Sequence, residues 1–149
     1  MLTPDEVLKL LPHQPPFRFV DRILESDEHH VVAEYTFRPD EFFYRGHFPG
    51  NPLTPAVILL ETMAQAATAI PIQLFSLEVS IEELASFSAV LSDASFEVEV
   101  SVPPGATVRT RAEQIFWRRG KIKMRMELSL ADGTLAAHGT VGGMVRRRA

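Results

Sequence analysis

The pattern of apolar and polar residues first predicts one long helix in the middle of the chain. Residues 56–70 are almost entirely apolar, and Glu61 is their only charged residue. A helix on the surface of a globular protein has a polar face. We therefore expect this helix to be buried and wrapped by other elements. Thr54 is predicted to cap it, Pro55 to occupy its first position, and Pro71 to end it.

Much of the remaining chain has the period of two that is typical of β-strands. In residues 121–126, for example, Lys and Arg alternate with Ile and Met. Turn sequences at 103–105, 119–120 and 132–133 separate such segments. The predicted strands cover 17–23, 31–37, 87–91, 95–102, 107–116, 121–130 and 135–145.

Two short helices are predicted as well. Thr3 and Glu6 have the spacing of a capping box with Pro4 in the first turn, and Pro12 is expected to end that helix. Residues 80–84 have the character of another short helix. The architecture is thus α+β, with one central helix and an antiparallel sheet wrapped around it. At 149 residues, we expect a single domain over residues 1–149.

Composition narrows the class of protein. Apolar residues make up 46% and charged residues 23%, an ordinary globular mixture that argues against a disordered or fibrous chain. The chain has no cysteine, which excludes disulfides and thiolate metal sites. We find no secretory signal and no apolar run of the roughly 20 residues that a membrane helix needs. We therefore expect a cytoplasmic protein without a membrane span.

The net charge of −4 hides an asymmetry between the two parts of the chain. Residues 1–100 carry five basic and sixteen acidic side chains, whereas residues 101–149 carry ten and three. The basic part is a candidate docking surface for an acidic partner, although solvent-facing strands also need charges. No nucleic-acid-binding motif accompanies it. The candidate docking residues are Arg109, Arg111, Lys121, Lys123, Arg125, Arg146, Arg147 and Arg148.

Among the five histidines, His47 has the setting of a functional residue. It lies in a loop with two glycines and several prolines, which fix the backbone and leave it open to close approach. Such a loop can hold an imidazole for proton transfer. His29 and His30 have the setting of surface turns. No histidine pair has the spacing of a metal site, and we expect no metal.

Glu61 is the second candidate, because burial on an apolar helix disfavours a charged carboxylate. It is either a structural group bonded to backbone or arginine, or a functional acid that faces a cavity. With His47, it suits proton removal at one carbon and proton delivery to a departing hydroxyl. The N–H of Ala56 at the helix start could polarise a thioester carbonyl.

These residues belong to longer runs that resemble the signature of bacterial 3-hydroxyacyl-acyl-carrier-protein dehydratases. The resemblance covers nearly the whole chain. It is carried by Gly46-His47-Phe48-Pro49-Gly50-Asn51-Pro52-Leu53-Thr54-Pro55-Ala56, by Leu60-Glu61-Thr62-Met63-Ala64-Gln65-Ala66 and by Leu11-Pro12-His13-Gln14-Pro15-Pro16-Phe17-Arg18-Phe19-Val20-Asp21-Arg22.

The resemblance implies a hot-dog fold, in a dimer or a trimer of dimers with active sites at the dimer interface. The histidine would come from one subunit and the acid from the other, which makes His47 and Glu61 the catalytic pair. Phe48, Gly50, Pro55 and Ala56 would bind substrate. An apolar tunnel would receive an acyl chain carried on the phosphopantetheine of acyl carrier protein. A glutamate rather than an aspartate at position 61 favours dehydration without isomerisation.

The chain departs from the family at the start of the central helix. Thr54-Pro55-Ala56 replaces the usual Met-Pro-Gly, and Gln14-Pro15 replaces an Arg-Tyr or similar pair. A backbone donor at Ala56 is retained if φ is negative, and a threonine cap at Thr54 would compete with substrate for it.

The leading hypothesis is elimination of water from a (3R)-hydroxyacyl thioester on acyl carrier protein to give the trans-2-enoyl thioester, without a cofactor. A thioesterase or a coenzyme-A-linked hydratase on the same fold is the first alternative. A non-catalytic acyl-binding or partner subunit is the second.

Overall fold

The chain folds into one sheet with helices packed against it. A computed structural model describes residues 1–148. The elements are α1 (Pro4–Leu10), β1 (Arg22–Ser26), β2 (His30–Thr36), α2 (Ala56–Ala67), α3 (Ala69–Ser76), α4 (Ile81–Leu84), β3 (Phe87–Val98), β4 (Thr107–Arg118), β5 (Lys121–Leu130) and β6 (Leu135–Arg147). The six strands lie in the order β1-β2-β4-β5-β6-β3, and every neighbouring pair is antiparallel.

The alternating pattern places strand β5 correctly, because one of its faces packs on the core. The strand spans Lys121–Leu130 as predicted, and Ile122 and Met126 are buried on its inner face. Arg119 and Gly120, which join it to β4, have φ angles of 51° and 77°. Positive φ at both central residues is what a tight two-residue hairpin needs.

The predicted strand over 17–23 is wrong, since the structure begins a strand only at Arg22. Phe19 and Val20 are buried, which explains their apolar character. The N–H of Phe19, however, donates to the side chain of Gln65 at 2.7 Å rather than to a neighbouring strand. The alternating apolar residues here reflect burial rather than a β-strand. The backbone hydrogen bond that a neighbouring strand would have accepted goes to a side chain of helix α2 instead.

Two predicted strands, 87–91 and 95–102, form the single strand β3, which ends at Val98. An irregularity between Leu91 and Asp93 shifts its register against β6 without interrupting the pairing. Gly139 of β6 allows the backbone of β3 to approach closely, because a Cβ at Gly139 would collide with the carbonyl oxygen of Ser95.

Helix α2 packs on strands β2, β4 and β5, but it is not wrapped on all sides. Its buried face includes Leu59, Met63 and Ala66, while Val57 is 67% exposed and Glu61 is partly exposed. The predicted central helix packed on an antiparallel sheet is confirmed, and most of its residues are buried. The exposed residues of the helix, Ala56 and Val57, lie at its start.

Pro71 does not end the central helix, which continues after a break at Thr68 as α3 to Ser76. Pro71 lies in the first turn of α3, where a missing N–H costs no helical hydrogen bond. The combined stretch Ala56–Ser76 is long and apolar enough to cross a membrane, contrary to the expectation that no run reaches this length. It is the core helix of this fold, because it packs on the sheet.

Both short helices are confirmed. Thr3 and Glu6 form the predicted capping box of α1, and Ser80 and Glu83 form another at α4. Reciprocal bonds of this kind satisfy backbone N–H groups that a helix start leaves unpaired.

Candidate active site

The His47 side chain is held by the backbone of its own loop. Its Nδ1 atom lies 2.8 Å from the carbonyl oxygen of Leu53, and the N–H of Leu53 donates to the His47 carbonyl at 2.8 Å. A carbonyl oxygen can only accept, so Nδ1 carries the proton. In the neutral ring Nε2 then has a lone pair, which a general base requires.

Phe48 and Gly50, which are predicted to bind substrate, lie in the same loop as His47 and form part of its surroundings. The half-exposed ring of Phe48 stacks on the imidazole with 4.1 Å between ring centroids. Phe48 and Asn51 exchange backbone hydrogen bonds, and Gly50 between them has a φ of 72°. A turn with that backbone conformation favours glycine.

Thr54 does not cap helix α2, so that prediction is wrong. Its buried hydroxyl hydrogen-bonds instead to the Tyr44 hydroxyl at 2.6 Å, which ties the histidine loop to the helix start. The helix begins at Ala56, with Pro55 rather than Thr54 at the N-cap position, and no side chain within residues 1–148 caps it. The N–H of exposed Ala56 and the positive end of the helix dipole are therefore open to a ligand.

Glu61 lines a cavity, and Gln65 of the same helix hydrogen-bonds to its carboxyl group. Its side chain is 30% exposed in the single chain, so it is less buried than expected. Its Oε1 atom accepts a hydrogen bond from Gln65 Nε2 at 2.9 Å and lies 3.7 Å from Nε2 of His13. One alternative was a structural Glu61 bonded to an arginine. Within residues 1–148 no arginine forms an ion pair with it, and its side-chain neighbours are Gln65 and His13.

Two adjoining cavities extend from Glu61 along the helical stretch. The first has a volume of about 130 Å³ and is bounded by α2 and by the sheet at β3, β5 and β6. The second, of about 310 Å³, is lined by α3 and by Phe75 and Phe87, whose rings stack at 4.6 Å. Both cavities are largely apolar and share Pro12, Thr68, Pro71 and Ala89, so they adjoin one another.

His47 does not line the cavity that holds Glu61 in the part of the chain described here. The two residues therefore do not share a site within one chain. In the single chain both Glu61 and His47 are partly exposed, and Phe48 beside His47 is exposed. Both halves of the predicted pair thus lie on accessible surface.

His13 is a site residue that the sequence analysis did not single out. It lines the Glu61 cavity, and burial lowers its pKa, with the Glu61 carboxylate opposing that effect and Arg18 adding to it. The signal available in the sequence was its place in the N-terminal run of the family signature. No spacing rule connects positions 13 and 61, because their contact is tertiary.

The candidate docking residues divide into paired and unpaired groups. Arg109 lies 2.6 Å from Glu34, and Arg111 and Arg147 also have acidic partners. Within residues 1–148, no carboxylate lies within 4.0 Å of the following basic groups on β5 and at the C-terminal end: Lys121, Lys123, Arg125, Arg146 and Arg148.

One surface cluster has the composition of a metal site. The possible ligand atoms of Glu97, Glu99 and His138 lie within 4.8 Å of one another. Both carboxylates are exposed, and His138 Nε2 already lies 2.9 Å from Glu99. None of the three lines the cavity of Glu61, and nothing further marks the cluster as a binding site.

Solved structures share this architecture. The dehydratase heterocomplex ApeI:P from Xenorhabdus doucetiae matches with a TM-score of 0.78 and 16% identity over 99% of this chain and 93% of that one. A hypothetical thioesterase with coenzyme A from Streptococcus pneumoniae TIGR4 matches with a TM-score of 0.64 and 15% identity, over 85% and 87% of the two chains. At such identities the likeness concerns the fold alone. The predicted hot-dog fold is confirmed, and the protein is of the hot-dog class.

Sequence comparisons identify the family within that class. Residues 11–140 match the model of the FabA-like domain. The 3-hydroxyacyl-[acyl-carrier-protein] dehydratase FabZ of Acetivibrio thermocellus is 33% identical over 95% of this chain and 92% of its own. The Thermus thermophilus protein of that name is 36% identical over 91% and 92%, and the Streptococcus pyogenes one 37% over 91% and 93%.

The chain therefore belongs to the FabA-like family of 3-hydroxyacyl-acyl-carrier-protein dehydratases. The family recognised from the sequence is confirmed, and with it the predicted class of enzyme, a hydro-lyase.

Proposed function

We propose that this protein removes water from a (3R)-3-hydroxyacyl thioester carried on acyl carrier protein and forms the trans-2-enoyl thioester. The observation that carries the proposal is the position of Glu61, the one charged side chain of helix α2, at the first of two adjoining and largely apolar cavities. The curated relatives bear the name of this activity.

In the proposed reaction, Nε2 of His47 takes a proton from C2 of the substrate. Negative charge then develops on the thioester oxygen, where the N–H of Ala56 and the helix dipole stabilise it. Glu61 donates a proton to the hydroxyl on C3, the C3–O bond breaks, and water leaves as the C2–C3 double bond forms. Transfer of the proton from His47 to Glu61 through solvent resets the site. No electrons are transferred, so the reaction needs no redox cofactor.

We propose a homodimer, alone or within a trimer of dimers, in which His47 of one subunit faces Glu61 of the other. Strand β3 supports this arrangement, because it is an edge strand with exposed apolar side chains, including Val90 at 57% and Leu91 at 53%. Unpaired edges of this kind readily add a strand from another chain. The exposed Val57 and the partly exposed Leu60 and Glu61 of α2 are also available to a second subunit. Each chain then acts as a single domain, and we propose a cytoplasmic location.

A mixed dimer tests both the residues and the assembly. His47→Ala and Glu61→Gln homodimers should each lose about 10²- to 10⁴-fold in kcat, the usual contribution of a general acid or base. A purified dimer of one His47→Ala chain and one Glu61→Gln chain should regain about half of the wild-type activity, because one of its two shared sites is intact. If both residues served a site within one chain, every site would be defective and the mixed dimer would be inactive.

Activity assays of the purified wild-type protein distinguish the alternative functions. Absorbance of the enoyl product reports dehydration, whereas release of free thiol from an acyl thioester would report a thioesterase. If the protein binds acyl carrier protein without turnover, and a second protein restores turnover, the chain is a partner subunit. Turnover of a coenzyme A substrate in preference to the carrier-protein substrate would indicate a coenzyme-A-linked hydratase.

A further inference from the structure

His13 approaches Glu61 from the segment between α1 and β1. Its Nε2 atom lies 3.7 Å from Oε1 of Glu61, and its ring lines the same cavity. The mechanism above does not use this histidine. A second imidazole beside the proposed acid therefore needs its own explanation.

Gln65 fixes the orientation of the Glu61 carboxyl. It is fully buried; its Oε1 accepts from the N–H of Phe19 at 2.7 Å, so its NH₂ group points the other way. That group donates to the carbonyl of Phe17 at 3.0 Å and to Oε1 of Glu61 at 2.9 Å. Because three bonds hold the amide, its contact with Glu61 has a defined direction.

His13 places a second nitrogen near the same oxygen, at 3.7 Å, which is longer than a hydrogen bond, and burial favours its neutral form by lowering its pKa. Its Nδ1 atom is buried and has no hydrogen-bond partner within residues 1–148. A proton on Nδ1 would be a buried donor without an acceptor, which is unfavourable. The neutral ring then carries its proton on Nε2, facing Oε1 of Glu61. Arg18 is the other charged group whose field reaches the ring, and it also opposes a cationic His13.

We propose that His13 is a positioning residue: its neutral Nε2–H closes the 3.7 Å gap to Oε1 of Glu61 in the substrate complex, and with Gln65 it then holds that oxygen and presents Oε2 to the hydroxyl that leaves the substrate. This inference rests on the proposed function, because it assigns Oε2 to the departing group. A neutral donor suits the task. A cation at this place would stabilise the carboxylate and oppose the proton transfer that Glu61 performs.

Steady-state kinetics test the role with three variants. His13→Leu should lower kcat by about tenfold with KM within about twofold, because the substrate still binds while the acid is misdirected. His13→Gln, which offers an amide donor, should recover kcat to within about threefold of wild type. The control is His29→Leu, an exposed histidine in the turn before β2. Unchanged kcat in His13→Leu, or a His13→Gln variant as impaired as His13→Leu, would overturn the proposal.

A titration of the His13 imidazole by NMR provides a test that needs no turnover and no His13 variant. The Glu61 carboxylate raises the pKa of His13, whereas Arg18 lowers it. Glu61→Gln should therefore lower the pKa of His13, and Arg18→Met should raise it. An identical His13 titration in wild type and Glu61→Gln would show that the two groups do not interact in solution, and it would refute the proposal.

The two tests also separate this inference from the function on which it rests. If the wild-type protein does not dehydrate a hydroxyacyl thioester, the proposed function fails whatever the titration shows. If it does, and the titration or the kinetics of His13→Leu give the contrary result, only the role of His13 fails.

Discussion

Nδ1 of His47 lies 2.8 Å from the carbonyl oxygen of Leu53, six residues further along the chain. The two residues also share a backbone hydrogen bond from the N–H of Leu53 to the carbonyl of His47. This double connection fixes the ring at the point where the loop turns towards helix α2. It also selects one of the two neutral tautomers, because only a protonated Nδ1 can donate to a carbonyl.

The tautomer of His47 is the first testable consequence. Nitrogen NMR at a pH where the ring is neutral should show a proton on Nδ1 and none on Nε2. The exposed His29, whose ring has no backbone carbonyl partner among the described residues, serves as the internal comparison. A proton found on Nε2 of His47 would contradict the proposed base, since Nε2 would then have no lone pair to accept one.

The hydrogen bond between Tyr44 and Thr54 should couple the stability of the loop to that of the helix start. Both hydroxyls are buried and their oxygens lie 2.6 Å apart, so removal of one hydroxyl leaves the other without its partner. Tyr44→Phe and Thr54→Val should each lower the free energy of unfolding by about 1–3 kcal/mol. The double variant should cost less than the sum of the two, as measured by urea unfolding. Additive costs would mean that the bond contributes nothing.

Acyl carrier protein should dock on the unpaired basic groups of β5. Lys121→Glu and Arg125→Glu should raise KM for the carrier-protein substrate at low salt, and the effect should fade near 1 M salt, where the Debye length is about 3 Å. Arg109→Gln should have a smaller effect, because Glu34 already neutralises that guanidinium at 2.6 Å.

The same acyl group on free pantetheine controls for damage to the active site, since it lacks the acidic carrier. Its KM should be equal in wild type and in both β5 variants. A salt-independent KM for the carrier-protein substrate would exclude this surface as the docking site.

The pH dependence of stability should include a contribution from His30. Its Nε2 lies 3.0 Å from Glu25 and its Nδ1 lies 2.8 Å from Asp27. The hydrogen bond to Glu25 raises the pKa of His30, burial opposes it, and Asp27 adds to the rise. A raised pKa in the folded state means that the protonated form stabilises the fold. This stabilisation is complete below the unfolded-state pKa of about 6.5 and disappears as pH rises through the folded-state pKa.

Replacement of His30 tests that sign. His30→Gln should lower the free energy of unfolding by about 0.5 kcal/mol at pH 5.5, the size of a screened surface ion pair, and by less at pH 8.5. His29→Gln provides the matched control at the adjacent, more exposed position. A larger loss for His30→Gln at pH 8.5 than at pH 5.5 would contradict the assignment.

Local chemistry was sufficient to predict much of the fold. The capping box of Thr3 and Glu6, the positive-φ turn at Arg119 and Gly120, and the two-residue period of β5 each act over a few neighbouring residues. The candidate pair His47 and Glu61 was also accessible, because both lie in compact runs typical of one family. Their roles remain predictions that the mixed dimer tests.

The amino-acid sequence by itself thus determined the central helix, most strands and the family, because periodicity, caps and turns are short-range properties. Only the tertiary structure decided which groups meet: Thr54 with Tyr44 rather than the helix start, Phe19 with Gln65 rather than a strand, and His13 with Glu61. It also left Val57 of α2 exposed and Glu61 partly exposed. The physical reason is that such contacts join segments far apart in the chain, and each polar group takes the partner that the packing places beside it.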